Sequence, residues 1–120
     1  MTGDRENYVI VHRLREHVLG ENGPTQSLLD EGRLPVGWAE EYLKLLRIAT
    51  ERWQHQPLWP RELVAAIHFA SWYLPLRYDV WRALHNRSRN ETTERELASL
   101  RSPSELFLMH GALDAATKAT

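Results

Sequence analysis

His68 and Ser71 stand three residues apart in a run that reads as one helix, close enough for an imidazole to take a proton from a hydroxyl. Two things that such chemistry needs are missing around them. No acid shares that side of the helix to orient His68, and no sharp glycine-flanked turn presents Ser71 as a nucleophile. A histidine held inside an aromatic core is the plainer reading. A small helical enzyme with His68 or His85 as its base ranks third among the functional alternatives. Glu62 and Asp79 bracket the same run, yet each sits beside a helix start, where the helix dipole favours an acid.

Metal and phosphate chemistry find less support. The chain has six histidines and no cysteine, which removes thiolate sites, disulfides and cysteine nucleophiles together. His12 and His17 are five apart, about 140° around a helix, so they diverge. His55, His68, His85 and His110 are isolated, and no HExxH occurs. The glycines at 3, 20, 23, 32, 37 and 111 form no phosphate-binding loop. The expectation is therefore no catalytic residue, no metal and no cofactor.

Two local surpluses remain. Over residues 77–89 there are four arginines and one acid, and Tyr78, Arg82, His85 and Arg89 share one helical face if the helix continues that far. Arginine interleaved with aromatic rings can hold phosphates and stack on bases, which gives a nucleic-acid-binding subunit using Arg82, His85 and Arg89 as the second alternative. A solvated face offset by Glu91, Glu94 and Glu96 is the plainer account. The formal net charge of −1 also argues against nucleic acid.

The other surplus is aromatic. Nine of the eleven aromatic residues, with all five tryptophans, lie between Trp38 and Trp81. Trp38, Tyr42, Trp53 and Trp81 fall on stripes that ought to face inward. Trp59, Trp72 and Tyr73 radiate from segments whose other sides are already apolar, and Trp, Tyr and Arg are the commonest interface anchors. Trp59, Trp72, Tyr73, Arg77, Tyr78, Arg82, His85 and Arg89 are thus the expected partner-binding residues. The expected function is a non-catalytic interaction module: a small subunit, adaptor or neutralising partner that binds another protein or a second copy of itself.

The elements that must position these residues read as helices almost throughout. A length of 120 residues suits one domain. Asp4 caps a helix over about 5–19 with Tyr8, Val11, Leu14 and Val18 inward; YVIV at 8–11 would suit a strand but has no convincing partner. A short helix at 25–31 ends at Gly32. From 38 to 53, Trp38, Tyr42, Leu45, Leu46, Ala49 and Trp53 lie within about 100° of arc, with Glu40–Lys44 and Arg47–Glu51 pairs outside it. Pro60 opens a helix over about 60–74 that is apolar on three sides and must therefore be covered all round, either centrally or by another chain.

Pro75 stops or kinks that helix, and a short one follows at 77–87 with Val80, Trp81 and Leu84 on one face. Capping boxes at Thr93/Glu96 and Ser102-Pro103-Ser104-Glu105 start two more, and the tail over 115–120 frays. The expected fold is one all-α domain, 1–120, of five or six helices around the 60–74 helix. The longest nearly apolar run, 63–76, is too short to span a bilayer, and the N-terminus lacks the pattern of a signal peptide. A cytoplasmic protein without membrane contact is expected. The sequons at Asn86 and Asn90 are then chance.

Overall fold

The stripe of Trp38, Tyr42, Leu45, Leu46, Ala49 and Trp53 is buried along its whole length, with two helices laid against it. In the computed structural model the backbone is described for residues 2–119 and the side chains for 5–109. The chain runs through α1 (Thr2–Leu19), α2 (Thr25–Glu31), α3 (Trp38–Trp53), α4 (Arg61–His68), a π-helical turn (Phe69–Tyr73), α5 (Leu74–Leu84) and α6 (Glu91–Ala119). Because α4, the π-turn and α5 follow without a break, these make five helical rods in one globule of 50 × 33 × 18 Å. Among the described residues there is no strand, and YVIV lies in α1.

α1 packs on α3 and α4, α2 on α5, and α6 on α3, α4 and the π-turn. Side-chain polar groups fix these contacts. Trp38 Nε1 donates to the His17 carbonyl at 2.9 Å, His17 Nε2 meets the Trp38 carbonyl at 3.0 Å, and their rings stack at 4.7 Å. α1 is thereby joined to the first turn of α3. Tyr42 and Ser104 hydroxyls lie 2.6 Å apart; since Ser104 gives its proton to the Leu100 carbonyl, Tyr42 is the donor. That buried bond joins α3 to α6, and burial raises the Tyr42 pKa despite it.

Several local expectations change. Tyr8 is exposed and only edges against Trp53, at 5.4 Å, so α1 turns Ile10, Val11, Leu14 and Val18 inward instead. The helix already begins at Thr2, and the Asp4 side chain lies outside the described residues. On α3 neither Glu40–Lys44 nor Arg47–Glu51 closes to an ion pair among the described residues; Glu41 approaches Arg13 of α1 at 3.7 Å. Pro60 precedes α4 as its N-cap, with its carbonyl accepting from Leu63 and Val64.

The two C-terminal helices are one. α6 passes through Pro103, which has no N–H for the Ser99 carbonyl. Leu100, Ser104 and Phe107 keep a single buried face across it. Its N-cap is Asn90 rather than Thr93, since Asn90 Oδ1 accepts the Thr93 N–H at 3.2 Å. The fraying expected over 115–120 concerns residues whose side chains lie outside the described ones. No helix among the described residues is long and apolar enough to cross a membrane.

Candidate protein-interaction face

Pro75 has no N–H for the Ser71 carbonyl, and its ring would crowd that carbonyl in a regular α-helix. The chain absorbs this with the π-turn: Leu74 N–H reaches past Ala70 to the Phe69 carbonyl, so Pro75 falls in the first turn of α5 and the rod continues. π-turns of this kind often mark functional segments. Tyr78 becomes the buried side of α5, while Val80 and Leu84, which the sequence placed with Trp81 on an inner face, are exposed.

The outward side of this rod is apolar. Trp72 is 65% exposed, Leu76 49%, Val80 39% and Leu84 69%, spaced four residues apart along one side. His68, one turn before Trp72, stacks on it at 5.9 Å. The helix over 60–74 is accordingly covered on the sides of Leu63, Ala66, Ile67, Ala70 and Leu74, but its third side, with Ala65, His68 and Trp72, is exposed. Beside the stripe, Pro75, Asp79 and Arg101 line two adjoining clefts between α5 and α6, of about 410 and 200 Å³. The smaller one also touches Trp72 and Leu76.

The other expected partner-binding residues separate. Tyr73 is half-buried, stacks on Phe69 at 4.5 Å and carries the Arg77 guanidinium at 5.9 Å, so this pair borders the stripe. Trp59 stacks on Phe107 at 4.4 Å and donates to the Trp53 carbonyl, which makes it a strut of the core. Tyr78 is 3% exposed, because its hydroxyl accepts the Asn90 N–H at 2.8 Å and donates to Glu94 at 2.9 Å. It joins α5 to the start of α6. Ser71 is buried with its hydroxyl on the His68 carbonyl, while the His68 ring faces outward.

The arginine face is not assembled as expected either. α5 ends at Leu84, since Asn86 and Arg87 take the left-handed conformation (φ 56° and 62°) and Arg87 N–H closes on the Arg82 carbonyl at 2.7 Å. Asparagine tolerates that conformation well. Arg89 therefore leaves the line of α5 and bonds Glu94 through two nitrogens, at 2.7 and 3.1 Å. Arg82 donates to the Ser88 carbonyl, and His85 stacks on Trp81 at 5.0 Å. Much of the local positive charge is spent on the turn itself.

Glu94 reports on that turn. The Arg89 guanidinium, then the Tyr78 hydroxyl, hold its carboxyl down to about 2 from an ordinary 4.5. A depressed carboxylate contributes stability that is fully present above the unfolded value and is lost as pH falls through the folded one. Glu94→Gln is thus expected to flatten the fall in thermal midpoint between about pH 4.5 and 2 relative to the wild type. An acid limb identical in both proteins would contradict this linkage.

Sequence reasoning passed over Leu76, Val80, Leu84 and Arg101. For the first three the signal was the four-residue spacing from Trp72 through the proline, legible only once the rod is known to continue past Pro75; Arg101, on α6, carried no such signal. A larger apolar groove, about 490 Å³, lies between α3 and α6 along Leu43, Leu46, Thr50, Pro103, Leu106 and Phe107. Its one aromatic ring, Phe107, is buried, whereas the stripe exposes Trp72. No protein-family model matches the chain, and comparison with curated proteins and with solved structures finds no significant match to either.

Proposed function

We propose that this chain is a non-catalytic helical interaction module, a small subunit, adaptor or neutralising partner that binds protein through the Trp72–Leu76–Val80–Leu84 face and works in the cytoplasm. The observation that carries this reading is Trp72, a large aromatic side chain 65% exposed at the head of a continuous apolar stripe. Leaving such a stripe in water forgoes roughly 25 cal/mol for every Å² that a partner would cover. Contiguous apolar patches of several hundred Å² on soluble domains commonly mark contacts. Asp79 and Arg101 at the edge supply the polar rim that recognition interfaces have.

Nucleic-acid binding through Arg82, His85 and Arg89 is the weaker reading, because Arg89 is neutralised by Glu94 and Arg82 is held by its own turn. Photo-crosslinking in the native host tests the preferred one. A benzophenone side chain at position 72 is expected to give a discrete covalent adduct with protein that Leu76→Glu abolishes, while the same probe at the exposed position 51 gives none. Absence of an adduct at 72, or one indifferent to Leu76→Glu, would contradict the reading.

A further inference from the structure

Resting on that reading, we propose that the protein bound is a second copy of this chain, packed antiparallel along α5 about a twofold axis between Leu76 and Val80. Leu76, Val80 and Ala83 lie within about 60° of arc at 100° per residue, a straight seam for another helix. A twofold midway between 76 and 80 sets Leu76 against Val80 of the second copy and Trp72 against its Leu84. Ala83, exposed and small, leaves room beside the indole. The largest side chain of the stripe thus meets the end of the seam, where the helix stops at Leu84 and the chain turns away.

Charge supports the same partner. In an antiparallel twofold pairing each flank of the seam meets its own copy, so a flank must carry both signs to complement itself. The flank facing α6 does, with Asp79 and Arg101 lining the same clefts. Among the described residues Asp79 enters no ion pair, and Arg101 is engaged with Glu105 alone, through Nε at 2.9 Å. A net charge of −1 per copy leaves little overall repulsion between two copies.

The area is also of the right order. The exposed parts of Trp72, Leu76, Val80, Ala83 and Leu84 amount to on the order of 400 Å². A standard interface takes about 800 Å² from each partner, a little over half of it apolar. The stripe matches the apolar share, and the Asp79/Arg101 flank with Ala98 provides polar surround. A reversible dimer follows.

Sedimentation of the full chain tests this. The expected result is a concentration-dependent shift from 14.0 kDa towards twice that mass, with Leu76→Glu raising the dissociation constant at least ~10-fold at unchanged helicity. Because the chain has no cysteine, single substitutions report the geometry directly. Leu76→Cys and Val80→Cys should each crosslink to themselves through a short bis-maleimide, and His68→Cys, about 30 Å from its copy along the helix axis, should not. A chain that stays monomeric at high concentration overturns the proposal, as does a dimer that crosslinks through 68 and not through 76 or 80. A monomer that still gives a heterologous adduct at position 72 defeats the second copy but not the interaction module. A monomer with no adduct defeats both.

Discussion

Trp38→Ala is expected to destabilise the fold by about 3–5 kcal/mol, the range for truncating a large aromatic side chain in a packed interior. Trp38 is 4% exposed and lies between the His17 and Tyr42 rings, at 4.7 and 5.5 Å. The substitution opens a cavity and strands the His17 carbonyl, which would then lose the indole N–H that satisfies it. Chemical denaturation followed by circular dichroism checks it, and a loss below about 1 kcal/mol would mean that the α1–α3 contact does not hold the core. Trp81→Ala should cost less than Trp38→Ala, since Trp81 is half-buried and its Nε1 has no partner to lose.

Gly32→Ala is the second large effect. Gly32 ends α2 in the left-handed conformation, φ 67°, and a Cβ there would run into the Trp81 ring. Left-handed backbone costs a non-glycine residue about 1–2 kcal/mol and overpacking a further ~1–3, so a loss of about 2–5 kcal/mol is expected. Gly32→Asn separates the two contributions, because asparagine accepts the backbone but still carries the Cβ. If Gly32→Asn unfolds like the wild type, the ring does not lie against this glycine. Trp81 in turn stacks between Tyr78 and His85, so this contact sets how α2 seats on α5 and supports the rod from behind.

Where one physical signal dominated, the sequence was sufficient. The 3.6-residue stripe of α3, Gly32 closing α2, and the burial of Trp38, Tyr42 and Trp53 all follow from periodicity and turn chemistry. Prolines misled in both directions. Pro75 read as the stop or kink of one helix and Pro103 as the first residue of another, yet each is carried inside a rod, one by a π-turn and the other by a face that stays buried on both sides. Tyr78 went from expected partner contact to core strut because α5 continues the rod and packs on the side of Leu74 and Tyr78, four residues apart, which leaves Val80 and Leu84 on the surface. The left-handed pair Asn86–Arg87 likewise removed Arg89 from a helix face it would have joined only in a longer α5. Trp72 survived these shifts because it lies inside the π-turn, on a side that none of the packed helices covers.

The central claim is that the Trp72 face is covered by protein when the molecule works. Hydroxyl-radical footprinting in the cell tests it directly, with Tyr8, exposed on α1 and not part of the stripe, as internal control. Trp72 should be protected from oxidation in the wild type and become reactive in Leu76→Glu, while Tyr8 reacts equally in both. Equal oxidation of Trp72 in the two proteins would contradict the account.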